Sequence, residues 1–265
     1  MSWVFGWWKV AVAMLVLVSG AILIAPRPFI YAYEDARFAL DPSPSRAFEY
    51  GEKYFNAIDP KHYDVVRAEY FFEKAARDQS LPYVNHELAR ISFLKGDFDL
   101  ALSRINLQIS LQGTSTPNSY YIRGLIEGFR GDYASAARDY ETYLHTDSRN
   151  WAAINDYAWV LLKANRPKDA LVAVDWGLIY WPQNPWLLNS RATALFEMGR
   201  WGDAHEAVVA AEAAVASVDE KAWLHAYPGN DPLIAAQGVT AFKKAVDDNM
   251  HTIEAKIEVG KKTVQ

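Results

Sequence analysis

The side chains able to do acid–base, nucleophilic or metal chemistry are present in this chain, but not at the spacings such chemistry needs. The six histidines are His62, His86, His145, His205, His225 and His251. No two sit one helical turn apart, and no His-Glu-x-x-His occurs to hold a metal and its base on one helix face. There is no cysteine, which excludes disulfides, thiolate metal sites and thiol catalysis. The carboxylates are scattered and read as solvated faces, with no pair placed as acid and base. No glycine-rich phosphate loop is present. A Ser–His–Asp triad is assembled by folding rather than by spacing, but no nucleophile motif points to one. The chain therefore reads as a non-enzyme with no cofactor.

What remains is recognition chemistry. Aromatics make up 14% of the chain, and Tyr and Trp are the usual anchors of binding surfaces. Asn155 and Asn189 are 34 residues apart. An amide side chain both donates and accepts, so a ladder of amides suits the backbone of an extended ligand.

That interval of 34 residues also organises the helices. Gly124, Ala158 and Ala192 follow it, as do Ala136, Ala170 and Ala204, and Tyr140, Val174 and Val208. A turn residue separates the first two sets each time: Gly131, Asn165, Gly199. A fixed period of this size means a solenoid of stacked units. Within 151–184, Ala152, Tyr157, Ala158, Leu161 and Leu162 form one helical apolar face, and Ala170, Leu171, Val174 and Leu178 a second. Pro167 suits the first turn of the second helix, and Pro182 closes the unit. Ala158 and Ala170 stand where the two helices cross. Only a small residue there lets the axes approach to about 8–10 Å. One hairpin cannot bury its own face, so neighbours must complete the core.

The register weakens outward. Ala89, Gly96, Ala101 and Ile105 fill the same roles about one residue out of step, and Ala68, Phe72 and Ala75 suit the second helix of a degenerate first unit. Downstream it falls on Gly238, Phe242 and Ala245. Pro228, Gly229, Asn230 and Pro232 break the matching first helix. Residues 232–258 read as one closing helix started by Asp231-Pro232, with Leu233, Val239, Phe242, Val246, Met250, Ile253 and Ile257 apolar.

The small–turn–small–large register of four units (Ala89-Gly96-Ala101-Ile105, Gly124-Gly131-Ala136-Tyr140, Ala158-Asn165-Ala170-Val174 and Ala192-Gly199-Ala204-Val208) resembles the tetratricopeptide repeat family. The match covers about residues 82–218 well and 45–81 and 219–258 weakly. The resemblance implies an all-α, right-handed solenoid of about five to six helix hairpins, whose first helices line a concave groove often used to hold peptides. On that geometry the groove would carry Tyr83, His86, Arg90 and Phe93; then Asn118, Tyr121, Leu125 and Phe129; then Asn155, Trp159 and Leu162; then Trp186, Asn189 and Thr193. The competing reading is that these aromatics pack between units. Arg90, Leu125, Trp159 and Thr193 stand where family members that clamp a C-terminal carboxylate repeat asparagine, so that mode is not expected. Charged residues of the second helices, such as Arg138, Glu141 and Lys168, would face the convex side.

The N-terminus is of another kind. Val10 to Ala25 is small and apolar with only Ser19 polar, and counted from Trp3 it is long enough to span a bilayer. Trp3, Trp7 and Trp8 would form an interfacial belt. The competing reading is a signal peptide cut after Ala21 or Ala32. The length and the apolar Ile22-Leu23-Ile24 favour an uncleaved anchor. Residues 1–28 are thus expected to form a transmembrane signal anchor meeting lipid through residues 3–25, stopped by Pro26 and Pro28. Residues 29–46 would be a linker, extended at Pro42 and Pro44. Residues 47–218 would be the repeats, 219–258 a degenerate last unit with its capping helix, and 259–265 a tail.

The net charge is −5, and no basic stripe invites nucleic acid. The expected protein is a single-pass scaffold of the cell envelope, its repeats outside the cytoplasm, holding a peptide or partner subunit. The alternative is a glycan-facing module of a cell-wall or exopolysaccharide assembly, with Tyr121, Trp159 and Trp186 stacked on sugar rings.

Overall fold

The computed structural model describes residues 24–226 and 231–263, and the expected anchor therefore lies almost wholly outside the described residues. Among the described residues, no helix is long and apolar enough to cross a membrane.

Helix α1 (Pro26–Leu40) leads into five hairpins. They are α2 (Pro44–Tyr54) with α3 (Val65–Ala75), α4 (Val84–Leu94) with α5 (Phe98–Gln112), α6 (Asn118–Arg130) with α7 (Tyr133–Leu144), α8 (Trp151–Lys163) with α9 (Pro167–Tyr180), and α10 (Pro185–Glu197) with α11 (Trp201–Val215). A short α12 (Glu220–Ala226) and a long α13 (Ala235–Thr263) close the chain. Each hairpin packs on the next, and α13 packs on α11.

The register residues do what their size requires. Ala89, Ala101, Ala136, Ala158, Ala170, Ala192 and Ala204 are fully buried, as are Ile105, Tyr140, Val174 and Val208 beside them. At Gly124 a Cβ would lie 3.2 Å from the Ala136 carbonyl and from the Tyr140 ring, so the crossing is tight and even alanine would ask its neighbours to give by a few tenths of an ångström. The turns use the left-handed backbone at Gly96, Gly131 and Gly199, and Asn165 adopts the same conformation at φ 58°. Asparagine is among the few residues that visit this region readily, so the departure at 165 leaves the turn intact. Side chains cap most of the helices: Asp64, Asp97, Asp132, Asn150 and Asn184 each accept from a backbone N–H three residues on.

Four expectations are corrected. Residues 29–46 are not an extended linker. Pro26 stands at the start of α1, where a ring with no N–H to lose is permitted, and a break in the helix falls just before it, between helical Ile24 and Pro26. Helix α1 is held on the first hairpin by Glu34, which accepts from Lys53 and the Tyr54 hydroxyl, by Tyr31 donating to Asp64 at 2.7 Å, and by Phe38 edge-on to Phe71. In the closing segment, Asp231 caps a single 3-10 turn before α13 begins. Leu233 in that turn is exposed, as is Ala245, because α13 packs on α11 as one long helix with Ala235, Val246, Met250 and Ile253 turned inside. Residues 259–263 continue α13 rather than forming a tail. Finally, the carboxylates are not all on solvated faces: Glu34, Glu87, Asp139 and Asp156 are buried.

Candidate binding site on the concave face

The first helices of the hairpins place one face of each on a common concave surface. It encloses a cavity of about 940 Å³, running from Phe48 and Glu52 on α2 to Trp186, Asn189 and Ser190 on α10. Tyr83, His86, Arg90, Phe93, Tyr121, Phe129, Asn155, Trp159, Trp186 and Asn189 all line it, as do Asn118 and Leu125. Leu162 and Thr193 are not among its walls. The cavity is also covered by the chain's own C-terminal segment, through Trp223 of α12 and Phe242 of α13. The residue after Trp223, Leu224, packs against the hydrophobic cluster built on α1 to α4, so the end of the chain meets its beginning across the groove.

The walls differ in how far their atoms are committed. Trp186 is 6% exposed, clasped between Trp151 at 4.9 Å and Phe242. For this residue, packing between units accounts for most of the ring. Trp159 is half-buried, tilted against Phe129 at 5.7 Å and edge-on to Tyr133. Phe129 itself is exposed. The asparagines do not form a free ladder. Asn155 Oδ1 accepts from the Ser190 hydroxyl at 2.8 Å, and Asn189 Oδ1 accepts from Asn249 Nδ2 of α13 at 2.8 Å.

Charge in the cavity sits at two places. At the α4 end, Arg90 donates to Glu87 Oε2 at 2.6 Å and its guanidinium lies over the Phe55 ring. Burial pushes the Glu87 carboxyl up to about 7, against the pull of Arg90. His86, 5% exposed, is driven down to about 3 by burial and by Arg90, so it is a neutral imidazole bonded to the Ser119 hydroxyl at 3.2 Å. Glu52 faces the same space from α2, its carboxyl raised by burial. In the middle, Asp156 is 7% exposed and receives the Tyr121 hydroxyl at 2.9 Å. Burial raises its carboxyl to about 7, although Tyr121 and Asn155 both favour the ionised form.

Glu52, Glu87 and Asp156 are the carboxylates among the wall residues that sequence reasoning missed; Phe48, Tyr143, Ser190 and Trp223 are others. The available signal was position: Asp156 lies four residues after Ala152 and three before Trp159, on the face already assigned to the groove. Glu87 precedes Arg90 by three in the same way. Among the described residues no cluster of three His, Asp or Glu is arranged to hold a metal ion.

No family model matches the chain, and no curated protein matches it. Solved structures do. A crystal structure of MamA protein superposes with a TM-score of 0.55 at 15% identity, covering 64% of this chain and 91% of that one. MamA AMB-1 gives 0.53 at 15% identity, over 66% and 94%, and MamA MSR-1 gives 0.53 at 16%, over 64% and 96%. The chain thus has the all-α helical-hairpin repeat fold seen in MamA.

Proposed function

We propose that this protein is a non-catalytic interaction scaffold that holds a peptide segment of a partner protein in its concave cavity. One observation carries the reading: wall residues drawn from five successive hairpins, spread over more than a hundred positions of sequence, converge on one cavity of about 940 Å³ whose walls mix aromatic and polar side chains. Clefts of roughly 300–1,000 Å³ with this mixture are what small or segmental ligands occupy. The repeat fold supports the reading, because solenoids present such extended concave surfaces to partners. We further propose that residues 3–25 anchor the chain in the membrane with the repeats outside the cytoplasm. This part rests on the apolar run Val10–Ala25 alone.

The test is a photo-crosslinking residue placed at Leu125 on the groove wall and, separately, at Lys168 on the exposed face of α9. Adducts are identified by mass spectrometry after irradiation in cells. Crosslinks to a protein from position 125, lost in the Trp159→Ala background and absent from position 168, support the groove. Crosslinks from 168 alone refute it. Carbonate extraction tests the anchor: full-length protein released into the soluble fraction, or a mature N-terminus near Ile22 or Tyr33, overturns it.

A further inference from the structure

The ionisable groups on the cavity wall do not balance. Its cation is Arg90, and the Glu87 carboxylate already holds it at 2.6 Å. His86 is neutral. Glu52 shares the pull of Arg90 with Glu87, whereas Asp156 faces the cavity with only Tyr121 and Asn155 as partners among the described residues. Asp156 is the better placed of the two. It sits beneath the surface at the centre of the groove, on the same helix as Trp159 and one turn before it, with Tyr121 across from it on α6 and Trp186 on α10. An ionised carboxylate offers about four acceptor positions. Tyr121 uses one at 2.9 Å and Asn155 reaches another at 3.4 Å, so acceptor capacity remains. A cation brought there would meet a carboxylate on a wall that also carries the rings of Tyr121 and Trp159, and a desolvated site strengthens the attraction of opposite charges.

Building on the groove reading above, we infer that the segment held in the cavity carries a lysine or arginine side chain, seated against Asp156 between Tyr121 and Trp159. An acidic segment would be repelled by the ionised carboxyl, and a neutral sugar would gain no ion pair from it. A basic side chain turns the cost of its burial into an ion pair.

The inference has a protonation signature. In the empty cavity the Asp156 carboxyl ionises near pH 7. A cation requires the ionised form, so binding must expel the proton at lower pH. Asp156 is bonded by the Tyr121 hydroxyl of α6 and the Asn155 amide of its own helix, and the other polar groups on this part of the wall are Tyr143, Asn150, Asn189 and Ser190. None of these changes charge between pH 6 and 8. Glu52, Glu87 and Arg90 act on one another at the far end. Affinity should therefore rise about tenfold from pH 6 to pH 8.

The experiment screens full-length protein, purified in detergent, against a bead-bound random hexapeptide library at pH 8 and pH 6, alongside Asp156→Asn and Trp159→Ala, each first shown to fold by circular dichroism. The expected result is Lys or Arg enriched at one position of the captured peptides, with capture about tenfold weaker at pH 6. Asp156→Asn should lose both the enrichment and the pH dependence. Basic enrichment that survives unchanged in Asp156→Asn overturns the inference, as does an acidic or purely apolar consensus. If peptides are captured and lost in Trp159→Ala but show no basic position, this inference fails while the groove reading stands. If the wild-type protein captures no hexapeptide but retains neutral oligosaccharides on an array, both fail.

Discussion

The indole of Trp186 and the ring of Phe242 lie face to face, their centroids 4.6 Å apart and their planes 3° from parallel. This contact joins the first helix of the fifth hairpin to the closing helix. In an endless solenoid the outer side of α10 and α11 would meet a sixth hairpin. Here α13 supplies the cover, with Val246, Met250 and Ile253 buried and Asn249 bonded to Asn189. A terminal repeat without such a cap would expose its core face to water.

Removing the ring should therefore loosen the end of the stack before the middle. Phe242→Ala is expected to cost about 1–3 kcal/mol, less than a fully buried phenylalanine because the ring is half-buried, and Phe242→Leu clearly less. Hydrogen exchange should show α13 losing protection while α6 to α9 keep theirs. Uniform loss of protection across all five hairpins would show that the cap does not act locally.

The buried carboxyl of Asp156 predicts how stability changes with pH. Its pKa rises from an unfolded value near 3.9 to about 7 on folding, so the folded chain binds this proton more tightly. The contribution is fully present below about pH 4 and is lost as pH climbs through 7. At about 1.36 kcal/mol per unit, the upper bound is on the order of 4 kcal/mol for this one group. Glu87, also raised to about 7, acts in the same direction. Asp156→Asn keeps an oxygen for the Tyr121 hydroxyl but cannot ionise. Without ligand it should unfold at higher denaturant than wild type at pH 8, with the two converging toward pH 4. A constant difference across this range would mean that the carboxyl is ionised throughout.

The turn at Asn165 gives a local test. Its φ of 58° matches the glycines at the equivalent turns, Gly131 at 87° and Gly199 at 76°. Asn165→Gly should be neutral or stabilising by less than about 1 kcal/mol. Asn165→Val should cost about 1–2 kcal/mol, because a β-branched residue fits that region poorly. Thermal melts of the two variants decide it. Equal melting temperatures would remove strain at this turn from the account.

The hairpins were legible because their determinants are local and repeated. A small residue at a crossing or a left-handed turn needs the same residue type in every unit, and Ala136, Ala170 and Ala204 announce it at a fixed interval. The concave positions followed from the geometry that the family resemblance implies, laid over that register. Helix α1 was not, because nothing repeats it. Its prolines read as breakers, whereas the packing that keeps it helical comes from Tyr54 and Phe71, side chains of a different unit. The central carboxyl was also hidden. An aspartate on a helix reads as solvated until tertiary structure puts Tyr121 over it, 35 residues earlier in the chain. Likewise nothing in the spacing of Asn155 and Asn189 says that Ser190 and Asn249 engage them.

The last prediction concerns the cover of the cavity. Gly238 on α13 lies under the indole of Trp223, and a Cβ built there would stand 2.1 Å from Trp223 Cε2 and 2.2 Å from Cζ2. Gly238→Ala therefore forces the indole off its seat, by a new side-chain rotamer or by a shift of α12. Trp223 lines the cavity and Leu224 beside it packs on the N-terminal cluster, so the displaced segment is the one that bridges the groove. That segment lies outside the five hairpins. Gly238→Ala is therefore expected to cost about 1–3 kcal/mol of overpacking at most while leaving the helical content unchanged. Limited proteolysis should cut between residues 219 and 234 sooner than in wild type. Gly202→Ala is the control, because nothing lies within 4 Å of a Cβ at that position. Identical cleavage of Gly238→Ala and wild type would show that the indole is not held against α13, and that the C-terminal segment does not cover the groove.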